Sequence, residues 1–142
     1  LNSNRSVTAI MVHMPLPHGV DSHEVQANIS VDKDVEGVNP ANIGNIVFGR
    51  RSLVPCTALA VMEMIESTGM SIRGKRAVCV GASTIVGKPV SVLLMQAEAT
   101  VISTNIHTRH QEELTKDADI LVTAAGVPHS FCWGGQLFAT FC

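Results

Sequence analysis

Residues 78–90 read Val-Cys-Val-Gly-Ala-Ser-Thr-Ile-Val-Gly-Lys-Pro-Val, the order of a strand, a glycine turn and a helix start. A helix start leaves backbone N–H groups without internal partners, so such a turn is suited to cradle a phosphate. Two standard motifs are near misses. The dinucleotide fingerprint G-x-G-x-x-G fails because Ser83 stands at its second glycine, and the P-loop fails because five residues separate Gly81 from Gly87 and Pro89 follows Lys88. A purely structural βα turn is the competing reading.

A second cluster is acidic. Asp32, Asp34 and Glu36 lead to Gly37 in the manner of a calcium loop, but the twelfth position is Ile43 instead of a bidentate glutamate. The cluster therefore reads as a solvated turn, or as a carboxylate that accepts from a substrate's N–H groups. None of the histidines at 13, 18, 23, 107, 110 and 129 falls in H-x-x-x-H or H-E-x-x-H, and the four cysteines show no ligand spacing. No metal site is expected.

These groups must be positioned by an apolar scaffold. Hydrophobic residues make up 46% of the chain and charged ones only 15%, which excludes wholesale disorder. The net charge of −2 without Lys/Arg runs argues against nucleic acid or an anionic membrane as partner. No apolar run approaches the roughly 18–20 residues of a membrane span. No secretory signal is read in residues 1–15, and a reducing, cytoplasmic compartment is expected.

In chain order, residues 7–12 read as a short strand stopped by Pro15 and Pro17. Asp21 and Glu24 resemble a capping box for a short helix carrying Val25, with Ile29 on the same face. A mixed, turn-rich segment then runs to Arg51. Thr57 is placed to cap a helix whose apolar stripe is Ala58, Val61, Met62 and Ile65, with Gly69 at its end. From Gly74 strands and helices alternate: strand 76–80, helix 87–97, strand 100–104, helix 111–116 and strand 119–124. That alternation implies a parallel sheet. Residues 130–142 carry four of the five aromatics and no charge, and read either as a further strand or as a tail that never docks.

The second strand ends in Thr104-Asn105 without the acid that an NAD site places there for the ribose hydroxyls. His107, Arg109 and His110 follow, and a positive group there suits a 2′-phosphate.

Several stretches in register resemble the methylenetetrahydrofolate dehydrogenase/methenyltetrahydrofolate cyclohydrolase family. Residues 12–17 are similar to its V-Q-L-P-L-P, and residues 33–44, with Asn39, Asn42 and Gly44, to its K-D-V-D-G-x-x-x-x-N-x-G. Pro55-Cys-Thr57 resembles P-C-T-P, residues 81–89 resemble G-R-S-x-x-V-G-x-P, and residues 118–128 resemble A-D-I-L-V-x-A-x-G-x-P.

The resemblance implies an α/β chain: a Rossmann-like parallel sheet preceded by the end of a second α/β catalytic domain. Residues 1–53 would close the folate-binding domain, and residues 54–142 would form the NAD(P)-binding domain, with 130–142 an atypical tail. It implies oxidation of 5,10-methylenetetrahydrofolate with NADP or NAD, a tetrahydrofolate derivative as substrate, and a homodimer in the intact protein. Gly81, Ala82, Ser83, Ile85, Val86, Gly87, Asn105, Ala125 and Gly126 would contact the cofactor, and His13 and Glu36 would line the folate side as catalytic residues.

The departures from the pattern are informative. The family's Tyr-x-x-x-Lys would lie before Leu1 and its P-G-G-V-G-P loop has no counterpart, so a partial chain with reduced or absent cyclohydrolase activity is expected. His13 replaces a glutamine, Glu36 an aspartate, Ala82 an arginine and Ile106 a small polar residue. The last two changes weaken a 2′-phosphate reading and offset the tilt toward NADP. A non-catalytic dinucleotide-binding piece is the alternative, and another Rossmann dehydrogenase with a short N-terminal arm is a third reading.

Overall fold

The computed structural model describes residues 1–50 and 53–126, together with the backbone of residues 137–140. It divides into two compact units, Leu1–Cys56 and Thr57–Cys142.

The first unit is organised by polar side chains as much as by apolar ones. Helix α1 (Ser22–Ala27) starts where the Asp21 carboxylate accepts from the N–H groups of His23 and Glu24. Helix α2 (Pro40–Val47) has Asn39 at its N-cap, with Asn39 Oδ1 accepting from Ala41 N–H at 2.8 Å. Proline at the first helical position completes a favourable start. This helix falls inside the segment expected to be merely turn-rich. Its Asn-Pro opening was the available signal, but Asn42, Gly44 and Asn45 interrupt the apolar stripe by which helices are recognised.

Asn39 also ties the two helices together. Its Nδ2 donates to the carbonyls of Ile29 at 2.8 Å and Ala27 at 3.2 Å, at the exit of α1. Asp34, fully buried, accepts through Oδ2 from Asn39 N–H and from Asn42 Nδ2, both at 2.8 Å. Lys33 Nζ reaches back to the carbonyls of Asn2 at 2.7 Å and Asn4 at 2.8 Å, holding the N-terminal turns.

The strand expected over residues 7–12 is reduced to a single parallel bridge between Ile10 and Asp34, with Ile10 N–H donating to Lys33 C=O at 2.7 Å. Apolar patterning marks a segment that favours a sheet, but pairing needs a neighbour along its length. Among the described residues only Ile10 has one.

In the second unit, helix α3 (Cys56–Glu66) buries Ala58, Val61, Met62 and Ile65, the expected stripe. It begins one residue before Thr57, which therefore lies in the first turn and not at the cap. Gly69, at φ +74°, ends the turn that follows it. Strand β1 (Arg76–Val80), helix α4 (Gly87–Gln96), strand β2 (Thr100–Thr104), helix α5 (Gln111–Lys116) and strand β3 (Ile120–Thr123) follow in alternation. Strand β4 (Leu137–Thr140) pairs in parallel with β3, so the segment that sequence left open between strand and undocked tail contains a strand. Pro128, His129, Cys132, Cys142 and the aromatic residues at 131, 133 and 141 lie outside the described residues.

The sheet is parallel, in the order β2-β1-β3-β4. β1 is buried from Ala77 to Val80 and β3 along its whole length, as strands with both faces covered must be. α4 contributes Val90, Leu93 and Leu94 to the same core. Asp119 clamps the starts of β1 and β3. Its Oδ2 accepts from Arg76 N–H at 2.8 Å, while its own N–H donates to Arg76 C=O at 2.8 Å.

Two outcomes are expected. Asn39→Ala removes a helix cap and orphans the α1 carbonyls, and should destabilise the first unit by about 2 kcal/mol. Urea unfolding together with hydrogen exchange at the α2 amides measures this, and unchanged α2 protection would contradict it. The Asp119 pKa is held below the usual carboxylate value, first by the Arg76 N–H and then by Lys75. Its contribution is therefore present above the unfolded pKa of about 3.9 and is lost as pH falls through the lower folded value. Melting temperatures of Asp119→Asn and the parent chain should differ at neutral pH and converge in acid.

Candidate functional site

The site is built where β1 runs out. Gly81 takes φ +101°, and its N–H donates to Thr104 C=O, the last residue of β2, at 3.0 Å. A Cβ on Gly81 would stand 2.5 Å from Ala124 O, just past β3. One glycine thus fits between the ends of both neighbouring strands, where no side chain has room. Because β2 and β3 flank β1 on opposite sides, this is the sheet's topological switch point, where ligands of open α/β sheets bind beyond the strand ends. Ala125 and Gly126, both exposed, continue from β3 at the same end, with Gly126 at φ +65°.

The turn is closed by a second glycine. A Cβ on Gly87 would collide with Gly81 O, so the two ends of the turn lie backbone against backbone. Ser83 fixes what lies between. Its Oγ accepts from Val86 N–H at 3.3 Å and Gly87 N–H at 3.2 Å, and its C=O accepts from Lys88 N–H at 2.9 Å. Pro89 has no N–H, and Val90 N–H donates to Val86 C=O at 3.0 Å. The first turn of α4 is therefore satisfied from within.

The N–H groups of Ala82, Ser83, Thr84 and Ile85 have no hydrogen-bond partner among the described residues, so the donors open to an anion precede the helix. Sequence reasoning located the turn but placed its donors at the helix start. The serine three and four residues before the capped N–H groups was the signal.

Beyond β2 the chain folds into a compact turn. Asn105 N–H donates to Thr108 Oγ1, His107 N–H to Asn105 Oδ1 and Thr108 N–H to Asn105 C=O, each at 2.9 Å. Ile106 projects from it, 93% exposed. Cys79, one residue from the end of β1, is buried, which raises its thiol pKa and keeps it un-ionised.

His13 and Glu36 lie in the first unit. His13 is exposed and Glu36 half-buried, and neither makes a hydrogen bond or ion pair through its side chain among the described residues. Glu36 is nonetheless set on a fixed backbone. Gly37 takes φ +66° with its α-carbon against the Val54–Pro55 peptide, where a Cβ would come within 2.5 Å of Val54 C. The Cys56 thiol donates to Val35 C=O at 3.3 Å.

Comparison with known proteins bears directly on this arrangement. Residues 55–132, more than half of the chain, match the family described as tetrahydrofolate dehydrogenase/cyclohydrolase, NAD(P)-binding domain. The bifunctional protein FolD of Listeria innocua is 46% identical over 127 residues, which are 89% of this chain and 45% of that protein. The crystal structure of the bifunctional enzyme FolD, methylenetetrahydrofolate dehydrogenase/cyclohydrolase, from Campylobacter jejuni superposes with a TM-score of 0.85 at 38% identity, covering 88% of this chain and 45% of that one. The Trypanosoma brucei methylenetetrahydrofolate dehydrogenase-cyclohydrolase, complexed with NADP cofactor and inhibitor, gives 0.82 at 36% identity, covering 89% and 44%. The chain thus spans a little under half the length of the relatives it matches.

The two glycine environments predict opposite signs for one substitution. Gly81→Ala forces a Cβ into the Ala124 peptide at an unfavourable φ and should cost about 3 kcal/mol or more. Gly44→Ala, inside α2 with nothing within 4 Å of the new methyl, should stabilise by about 0.5–1 kcal/mol. Chemical denaturation of both variants checks the pair, and a tolerated Gly81→Ala would show that the turn does not need this close approach.

Proposed function

This chain belongs to the tetrahydrofolate dehydrogenase/cyclohydrolase family, and from that premise we propose that its second unit holds a nicotinamide dinucleotide for a methylenetetrahydrofolate dehydrogenase. The observation that carries the reading is the Gly81 turn: a backbone packed so closely against the Ala124 peptide that no Cβ fits, followed by four N–H groups without partners among the described residues. The chemistry of that donor set fits a pyrophosphate, which is a polyanion recognised by backbone amides.

In this reading the pyrophosphate lies on the turn formed by Gly81, Ala82, Ser83, Ile85, Val86 and Gly87. Ser83 keeps a hydroxyl hydrogen to donate, because its oxygen already accepts two N–H groups. Asn105 lines the adenosine side, and Ala125 and Gly126 the nicotinamide side. The bound dinucleotide supplies the acceptor for a hydride from the methylene carbon of 5,10-methylenetetrahydrofolate. Glu36 would accept hydrogen bonds from the pterin N–H edge, and His13 would face the same substrate. The proposed division of labour assigns residues 1–53 to folate and residues 54–142 to the cofactor. We extend it to a cytosolic homodimer, consistent with the unpaired thiols of Cys56 and Cys79. NADP or NAD fits the turn equally, since the pyrophosphate is common to both.

Dinucleotide binding without turnover is the second reading. It is favoured by His13 and Glu36, whose side chains are held by no hydrogen bond among the described residues. Catalytic groups usually need such support.

Titration calorimetry of the chain with NADP and with NAD tests the cofactor half, and saturable binding of at least one is expected. Ala82→Asp should weaken that binding tenfold or more without lowering the melting temperature, because it sets a carboxylate beside the phosphates. A folded chain that binds neither dinucleotide would end the proposal. Turnover of 5,10-methylenetetrahydrofolate by the chain separates the catalytic reading from the non-catalytic one.

A further inference from the structure

Glu36 is carried by a tight turn in the first unit. Asp34 C=O accepts from Gly37 N–H at 3.2 Å, and Gly37 takes φ +66°. Residues 34–37, Asp-Val-Glu-Gly, therefore form a β-turn with Glu36 at its third position. Resting on the proposal that Glu36 accepts from the pterin N–H edge, we infer that Asp34 is the positioning residue for that carboxylate: its side chain fixes the turn from which Glu36 meets the substrate.

Asp34 closes the turn twice. Its carbonyl makes the bond across it, and its carboxylate reaches beyond it, Oδ2 accepting from Asn39 N–H and Asn42 Nδ2 at 2.8 Å each. The Asn42 amide gives its second hydrogen to Val31 C=O at 3.1 Å, ahead of the turn. One carboxylate thus ties the chain before the turn to the start of α2 after it. The other flank is held by the Cys56 thiol on Val35 C=O and by the Val54–Pro55 peptide against Gly37. Glu36 is the polar side chain of this turn left without a hydrogen bond or ion pair among the described residues.

The network exceeds what a surface turn requires for its own closure. Asp34 is fully buried, yet both donors on its Oδ2 are neutral, and the adjacent Lys33 ammonium is engaged with the carbonyls of Asn2 and Asn4. Asp34 Oδ1 and Asn42 Oδ1 are also buried, with no hydrogen-bond partner among the described residues. Burying acceptors in this way costs stability. Such costs concentrate where a backbone must be held for function, and the backbone held here is that of Glu36.

Calorimetric titration of the full chain with 5-formyltetrahydrofolate, a compound with the same pterin N–H edge, tests the role. Asp34→Ala should weaken binding about tenfold or more while a cooperative melting transition persists. Asp34→Asn should recover most of the loss, since its amide oxygen can accept the same two N–H groups. Glu36→Gln should itself weaken binding, and in that background the loss from Asp34→Ala should shrink to within about twofold, because a positioning residue acts through the group it positions. Where Asp34→Ala has no melting transition, Asn42→Ala carries the same cycle, since it removes one of the two donors on Oδ2. No loss in the variant tested, or an equal loss in both backgrounds, overturns the role of Asp34 and leaves the pterin reading intact if Glu36→Gln still weakens binding. Glu36→Gln that binds as the parent does, or a folded parent that binds no 5-formyltetrahydrofolate, ends both.

Discussion

The arrangement of the second unit depends on one close approach, that of Gly81 to its neighbours. Its N–H reaches the end of β2, its α-carbon abuts the peptide after β3, and its carbonyl lies against Gly87 at the head of α4. Three segments can converge only because two glycines have no Cβ. The sheet order then follows a single logic. β1 must be central, since its exit is shared by both flanking strands, and it must be apolar on both faces, since helices cover it. The strand is buried from Ala77 to Val80 and gives way at once to the turn. The same constraint that packs the sheet creates the donor-rich end where the cofactor is proposed to lie.

The first unit is held by a different kind of interaction. Asp34 is buried with its carboxylate on a backbone N–H and the Asn42 amide, and Asn39 feeds three carbonyls at the end of α1 while capping α2. Buried polar groups of this kind are costly unless satisfied and directional when they are. They fix the backbone of residues 34–39, and the close fit of Gly37 against Val54 and Pro55 adds a steric limit. Glu36 sits on that segment although its own side chain has no hydrogen-bond or ion-pair partner among the described residues.

The difference between the units explains what was legible in the sequence. β1, β2 and α5 fall where the alternation of strand-like and helix-like segments placed them, and β1 is the plainest of them because a strand covered on both faces is an uninterrupted apolar run. α2 was missed because its buried positions include Asn42, whose burial is justified by Asp34, a partner that periodicity does not reveal. Residues 7–12 misled in the opposite direction: they are apolar enough for a strand, but among the described residues only Ile10 pairs. β4 could not be decided because its evidence is a backbone ladder with β3, and aromatic composition does not specify a register. The glycine turn was recognisable from the spacing of Gly81, Gly87 and Pro89, although it matched neither standard motif. The role of Ser83 was not, since a residue four positions ahead of the helix becomes its cap only once the turn has closed.

That role changes where negative charge is best placed. In a simple helix-start site the first N–H groups of the helix meet the phosphate and the macrodipole reinforces them. Here Ser83 consumes the N–H groups of Val86 and Gly87 through its hydroxyl and that of Lys88 through its carbonyl. The open donors move back to residues 82–85, a run of consecutive amides at the mouth of the turn. Successive open amides can bind an anion without requiring an arginine in the turn itself. Ala82 is therefore compatible with the proposed phosphate site, in which the backbone of the turn would meet the part of the ligand common to all dinucleotides.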